Sequence, residues 1–311
     1  MTTLCAIAGS PDLYGLGIRL SFYLLWFSVL IGERCHERHA QVPRAVELVL
    51  AYAVFLGLAM AASAGALFAS EVYVALLLIS TTVYLLVPRH TTDLVAWVRP
   101  DFGLGTQRGR FGFGAFTRSL FVLIVISLHF WFWGTGVNSV HVDRALREQG
   151  CRPPPQVGFA FGPVDMHSGG FRAMNVLLML ALLTGGVIIG AMKAGVIRRR
   201  QSRRRRRANR ARIRVLKQIE TFAGLTVACI LVAAIELTIQ WNGISPGVND
   251  VTTAAQLIPL GLVIALILVF LYDLRNGARR RASSSSSGGG GSTPDPSSSS
   301  SGWIGYARYS R

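Results

Sequence analysis

Seven apolar stretches divide this chain of 311 residues, and its basic residues gather in alternate gaps between them. A helix that crosses the hydrocarbon core of a membrane needs about 20 mostly apolar residues. The stretches of suitable length are 14–32, 46–68, 71–88, 115–134, 173–192, 219–241 and 254–273. Charged residues make up 15% of the chain, against about 25% in soluble domains. The sequence therefore predicts an all-α fold, a polytopic transmembrane bundle of seven spans within residues 1–274.

The placement of Lys and Arg predicts the orientation of the bundle. Of the 32 basic residues, 27 lie in one set of alternate gaps and four in the other, while Arg19 lies inside the first span. Cytoplasmic loops collect Lys and Arg, so we expect the N-terminus outside and the C-terminus in the cytoplasm. Because 13 basic residues lie from Lys193 to Lys217, the net charge of +17 reflects the collection of Lys and Arg in a predicted cytoplasmic loop. We expect no nucleic-acid partner, and a location in the plasma membrane or an endomembrane.

Two segments outside the spans have distinct compositions. Residues 193–218 form a basic cytoplasmic loop whose central arginines are placed to contact anionic lipid headgroups, at about 1 kcal/mol per basic residue. These arginines are Arg203, Arg204, Arg205, Arg206 and Arg207. Residues 275–311 are rich in Ser and Gly, which predicts a disordered cytoplasmic tail.

The predicted threading limits the chemistry of the cysteines and of the outer loop. Cys5 and Cys151 fall outside, where disulfides are tolerated, so the sequence allows either one bridge between them or two unpaired thiols. The His and Asp residues of the outer loop match no compact ligand motif, so we expect no metal site and no cofactor. No His-Glu-x-x-His, Gly-x-Ser-x-Gly or phosphate-loop motif occurs in the chain, and we expect no enzymatic activity.

Polar residues within the spans form a second pattern. A charged side chain at membrane depth costs about 2.5 to 3.5 kcal/mol on insertion scales, and Arg19 and Glu236 are placed to meet as a pair. The residues predicted to share the outer leaflet are Arg19, Glu71, His129, Glu236, Gln240, Asp250 and Gln256. Two interpretations stay open at this point: an outward-facing polar cavity, or a layer of hydrogen bonds between helices.

Motifs at the two ends of the bundle resemble a known group of proteins. The first is Pro11-Asp-Leu-Tyr-Gly-Leu-Gly-Ile-Arg19 followed by Tyr23, and the second runs from Trp241-Asn242 to Gln256-Leu-Ile-Pro259. They resemble the opening and closing segments of uncharacterised seven-helix integral membrane proteins from filamentous fungi. The resemblance implies a fold and a membrane location but no activity. If the ends pack together, Gly15 and Gly17 permit close approach of the last span near Gln256.

Two functions suit this pattern. The first is a transporter or channel whose outward-facing cavity contains Arg19, His129 and Glu236. The alternative is a seven-helix receptor-like protein that signals through the basic inner loop and the tail. The large receptor class carries an acidic-Arg-aromatic triplet where this chain has Pro88-Arg89-His90, and the last span here lacks Asn-Pro-x-x-Tyr. The topology is thus typical of a receptor, whereas the motifs are not.

Overall fold

The structure is a computed structural model, mostly helical (85%), and it describes residues 9–35, 40–65, 67–98, 113–139, 156–194, 210–244, 247–251 and 253–286. Within these residues, seven helical segments are long and apolar enough to cross a membrane. They are Pro11–Arg34, Gln41–Ser63, Ala69–Thr92, Phe116–Gly136, Gly169–Ala191, Val215–Trp241 and Ala254–Tyr272. The predicted number of membrane-length helices is confirmed, while insertion and orientation stay predictions.

The described elements follow the order of the predicted spans. The helices are α1 (Pro11–Tyr14), α2 (Leu16–Cys35), α3 (Gln41–Ser63), α4 (Ala69–Tyr84), α5 (Leu86–Val98), α6 (Phe113–Trp131), α7 (Val137–Ser139), α8 (Gly169–Ala194), α9 (Arg210–Trp241) and α10 (Ala254–Ser286). A π-helical turn, Phe132–Gly136, links α6 to α7. Between α7 and α8 lie two short strands, β1 (Val157–Phe159) and β2 (Pro163–Asp165), which pair antiparallel.

Helix α4 is the centre of the bundle, because α3, α6 and α9 all pack against it. Its side chains are buried on every face, including Val74, Leu76 and Leu78, which have no exposed surface. The spans around it carry apolar side chains on their outer faces, such as Val49 and Phe222, each at least 70% exposed. A buried central helix and apolar outer surfaces are what a bundle in lipid requires.

One end of the bundle is covered by the β1–β2 hairpin, and we call it the hairpin end. It also contains the N-terminus of α4 and the C-terminus of α9. The buried Asn242 holds the hairpin, since Val157 N donates to its Oδ1 (2.9 Å) and its Nδ2 donates to Val157 O (2.7 Å). Gln156 Oε1 accepts from Ser70 N at 3.0 Å, which satisfies an amide in the first turn of α4.

We expect Asn242→Ala to lower the free energy of unfolding by about 1 to 3 kcal/mol, because it leaves the amide and carbonyl of Val157 without this partner. Denaturant titration of the purified protein in mixed micelles measures the change. The matched control is Gln240→Ala, an exposed amide two residues away on the same helix, for which we expect a change within about 0.5 kcal/mol. Equal losses in both variants would contradict a specific anchoring role.

Several predicted segments lie partly or wholly outside the described residues. Cys5, Cys151 and residues 203–207 are among those outside, so the disulfide and the lipid-contact arginines stay predictions. Helix α9 begins at Arg210 and so includes the end of the predicted basic loop, and α10 continues to Ser286, into the predicted tail. The chain divides into two units, Met1–Ile267 and Leu268–Arg311. The described part of the second unit is the C-terminal part of α10.

Candidate functional site

Arg19 and Glu236 meet near the hairpin end of the bundle. Arg19 Nη1 forms an ion pair with Glu236 Oε2, and the two side chains are 0% and 42% exposed. Arg19 Nη2 donates to Asn249 Oδ1 at 2.7 Å, and Tyr23 OH donates to Glu236 Oε1 at 2.8 Å. Both carboxylate oxygens therefore have partners. We call Arg19, Tyr23, Glu236 and Asn249 the Arg19 network.

The segment from Val248 to Gln256 closes the N-terminus of α2. Leu16 N donates to Val248 O at 2.9 Å, and Gly17 N donates to Gln256 Oε1 at 3.2 Å. These bonds satisfy two amides that have no partner within the helix. Gly17 allows this approach, because a Cβ atom there would lie 2.6 Å from Gln256 O. The contact between the first and last spans, inferred from the end motifs, is therefore present.

We expect Gly17→Ala to destabilise the protein by about 1 to 3 kcal/mol, since the added methyl group meets the backbone of Gln256 and forces the helices apart. Gly261→Ala is the matched control, because a Cβ atom there has no heavy atom within 4 Å and alanine favours the helix. Unfolding in mixed micelles measures both variants. Indistinguishable stabilities for Gly17→Ala and wild type would show that the close approach does not contribute.

Glu71 is a structural tie between the N-terminal segment and α4. Its Oε1 accepts hydrogen bonds from Ser10 N (3.1 Å), Ser10 Oγ (3.3 Å) and Tyr14 OH (2.6 Å). Its Oε2 accepts from Phe68 N at 2.9 Å, which closes the first turn of α4. All these partners are groups of the protein, so the geometry assigns Glu71 to holding residues 10–14 in place.

The remaining predicted residues have different surroundings. His129 is buried, and its Nε2 lies 2.6 Å from Ser80 Oγ on α4. Gln240 and Asp250 are exposed. The Arg19 network, Glu71 and His129 each bond to other groups of the protein, and these bonds favour the interpretation as interhelical hydrogen bonding. Among the described residues, no group of three His, Cys, Asp or Glu side chains is arranged to hold a metal ion.

A second polar site lies at the opposite end of the bundle, which we call the arginine end. It is a cavity of about 50 Å³ between the C-terminus of α2, the N-termini of α3 and α6, and the junction of α4 with α5. Its lining residues are Val29, Leu30, Glu33, Arg44, Glu47, Leu48, Thr82, Leu85, Leu86, Arg89 and Arg118. The predicted threading places this end at the cytoplasmic surface.

Ion pairs organise the charged wall of this cavity. Glu33 Oε1 pairs with Arg44 Nη2 and lies 3.7 Å from Arg89 Nη1. Glu47 is only 5% exposed, and both Arg44 and Arg118 lie close enough to interact with its charge. Glu47 Oε1 is buried and has no hydrogen-bond partner among the described residues. The wall of the cavity therefore combines a buried carboxylate with three guanidinium groups.

This site is not evident from the sequence, because the apolar core of a span is shorter than the helix that contains it. The second span was predicted to begin at residue 46, which makes Glu47 a terminal residue, whereas α3 begins at Gln41. Glu47 therefore lies about 9 Å inside the helix. The third span was predicted to end at residue 88, yet helical structure continues to Val98 and includes Arg89. The available signal was the pair Arg44 and Glu47, which share a helix face at i and i+3.

Comparison of the chain with protein-family models, with curated proteins and with solved structures found no match. A fold by itself does not identify an activity. Any function assigned to the chain therefore rests on the geometry of its two polar sites, and the resemblance to the fungal group stays a prediction.

Proposed function

We propose that the chain is a multi-pass transport protein whose solute enters the cavity at the arginine end. The observation that supports this most is Glu47, a buried carboxylate on the wall of a cavity between membrane-length helices. Ionisable residues within membrane spans usually face a cavity or a partner and mark the paths of substrates or ions. The sequence-based hypothesis put the cavity at the hairpin end, whereas this proposal puts it at the arginine end.

The energetics of Glu47 favour a ligand over a purely structural role. A buried polar group without a partner costs about 1 to 3 kcal/mol, and more if it is charged. Among the residues that the structure describes, the other buried carboxylate is Glu71, which has protein donors at both oxygens. A solute in the cavity that donates a hydrogen bond to the Glu47 carboxylate offsets this cost.

The opposite end supplies the closed side that transport requires. The Arg19 network connects α2, α9 and the segment before α10 through groups that are paired with one another. A protein open at one end and closed by paired polar groups at the other is suited to alternating access, in which parts of the bundle rock around the bound solute. In this mechanism the Arg19 network separates when the arginine end closes.

Uptake into proteoliposomes tests the proposal. The purified full chain is reconstituted, and the entry rates of radiolabelled phosphate, methylammonium, urea and glycerol, each of which can donate a hydrogen bond, are compared with those of protein-free vesicles. We expect flux of at least one of these probes, reduced about tenfold or more in Glu47→Gln, which corresponds to about 1.4 kcal/mol. The control Asp165→Asn, an exposed acidic residue of the hairpin, should retain wild-type flux. No flux of any probe rejects transport and favours the receptor-like alternative.

A further inference from the structure

We infer that the tip of the β1–β2 hairpin inserts the side chain of Phe161 into the membrane, at the boundary between the lipid headgroups and the acyl chains. In the predicted threading this boundary belongs to the outer leaflet. The partner is the lipid surface itself, and the contact fixes the hairpin at the height of the membrane. None of the residues that line the cavity at the arginine end takes part, so the contact does not depend on the proposed function.

Phe161 lies in the turn between the two strands, in a position that neither packing nor backbone conformation favours for an aromatic residue. Its exposed fraction of 94% is the highest of any large apolar side chain among the described residues. Its φ of 65° lies in the left-handed region, which is unfavourable for a residue with a Cβ atom. Packing within the chain offsets little of this cost, because almost the whole side chain is uncovered. An aromatic residue here therefore points to a contact outside the chain.

Neighbouring aromatic rings connect Phe161 to the depth of the membrane interface. The membrane-length segment Val215–Trp241 has 27 residues, so it is about 40 Å long. The hydrocarbon core and both headgroup regions together measure about 40 to 45 Å, which puts Trp241, at the end of this segment, among the headgroups. The ring of Phe159 stacks on Trp241 with centroids 6.1 Å apart, and the ring of Phe161 lies 6.1 Å from Phe159. Phe161 is therefore two ring contacts from a tryptophan at the depth of the interfacial aromatic belt.

The base of the hairpin is fixed to the bundle. Asn242, the residue after Trp241, bonds to both the amide and the carbonyl of Val157, at 2.9 and 2.7 Å. Gly158 lies against the ring of Phe171, where a Cβ atom would be 2.9 Å from the ring carbon Cε1. A tip positioned in this way has little conformational entropy to lose when it meets the lipid. The hairpin thus holds Phe161 ready for the contact.

The composition and the size of the tip favour lipid over a protein partner. Residues 159–163 are Phe-Ala-Phe-Gly-Pro and carry no charge that could pair with a protein surface. A phenylalanine buries about 150 to 250 Å², whereas a specific protein–protein interface buries about 1,200 to 2,000 Å². The tip is therefore too small for a stable protein interface. It is large enough to anchor a segment at the membrane surface, where phenylalanine side chains insert into the boundary between headgroups and acyl chains.

Nitroxide labelling of the full chain in phosphatidylcholine vesicles tests the inference. Phe161→Cys and the control Asp165→Cys, an exposed position on β2, are each made in a chain whose four natural cysteines are replaced by serine. Collisions of the label with oxygen, which concentrates in lipid, are compared with collisions with a water-soluble nickel chelate. We expect the label at position 161 to favour oxygen and the label at position 165 to favour the chelate. A label at position 161 that favours the chelate overturns the inference. Shielding of that label from both reagents overturns it as well, because it would indicate contact with a second copy of the chain.

A second measurement keeps the natural phenylalanine in place. Gly162→Cys, in the same background, puts a thiol beside Phe161 at a position where a Cβ atom has no heavy atom within 4 Å. Its reaction with a membrane-impermeant maleimide, added to both faces of the vesicles, should become about tenfold or more faster with Phe161→Ser, because burial of a phenylalanine shifts an equilibrium by at least that factor.

Two further variants serve as controls for this measurement. Phe161→Trp should keep the reaction slow. Phe161→Gly, which suits the positive φ, should react as fast as Phe161→Ser while unfolding at no lower temperature than the wild type. Equal rates with and without Phe161→Ser, or a Phe161→Trp variant that reacts as fast as Phe161→Ser, would overturn the inference.

Discussion

Arg19→Met is expected to cause the largest loss of stability, about 3 kcal/mol, because it leaves the carboxylate of Glu236 in the bundle without its cation. Arg19 is fully buried and bonds to Glu236, to Asn249 Oδ1 and, at 3.4 Å, to Val248 O. We place the loss at the low end of the range for a broken buried pair, since Glu236 is 42% exposed. Denaturant titration in mixed micelles measures the change.

The double variant Arg19→Met with Glu236→Met separates the charge from the packing. Replacing both members of a buried pair by apolar side chains is often nearly neutral, so the double variant should be more stable than Arg19→Met alone. Glu236→Met alone should also be less stable than the double variant. If the losses in the two single variants simply add, the pair is not coupled and the account of the Arg19 network is wrong.

Glu71→Ala is expected to have the second largest effect, on the order of 3 kcal/mol, because it removes the acceptors used by Ser10, Tyr14 and Phe68 and leaves several buried donors unsatisfied. The substitution should also loosen residues 10–14, since these residues lose their hydrogen bonds to α4. Thiol labelling of a Ser10→Cys variant, made with and without Glu71→Ala, measures the release of this segment.

Glu71→Gln is the matched control for this prediction. It keeps one acceptor oxygen and the shape of the side chain, so labelling at position 10 should lie between wild type and Glu71→Ala. Faster labelling of position 10 with Glu71→Gln than with Glu71→Ala would contradict the predicted order of the variants. It would mean that the side chain at position 71 does not hold Ser10 in place through its hydrogen bonds.

The features predictable from the sequence were those encoded by composition over a whole span. The length of the apolar stretches gives the number of membrane-length helices. Charged residues are rare within these stretches, which identifies Arg19 and Glu236 as partners. Gly15, Gly17 and Gln256 were likewise identifiable, since small residues and a lone amide in apolar segments indicate close packing. Each of these signals is local, so no knowledge of the tertiary structure is needed to detect it.

The features missed were those that depend on residues far apart in the chain or at helix ends. Gln156 bonds to α4 and Asn242 bonds to the hairpin, but neither residue belongs to a periodic sequence pattern. Their roles are therefore visible only in the three-dimensional structure. The cavity at the arginine end combines Glu33, Glu47 and Arg118 from three helices. The apolar runs are shorter than the helices that contain them, so Glu33 fell just outside a predicted span and Glu47 and Arg118 fell at the ends of predicted spans.

Thiol labelling of a single cysteine in the cavity shows whether the cavity opens at the arginine end. Thr82→Cys lines the cavity, and it is introduced into a chain in which Cys5, Cys35, Cys151 and Cys229 are replaced by serine. A membrane-impermeant reagent is added to either face of sealed vesicles, with Ser21→Cys, a fully buried position in α2, as the control. We predict labelling of position 82 from the cytoplasmic face only, with position 21 protected from both faces. Protection of position 82 from the cytoplasmic face, or its labelling from the outer face, would contradict a cavity open at the arginine end.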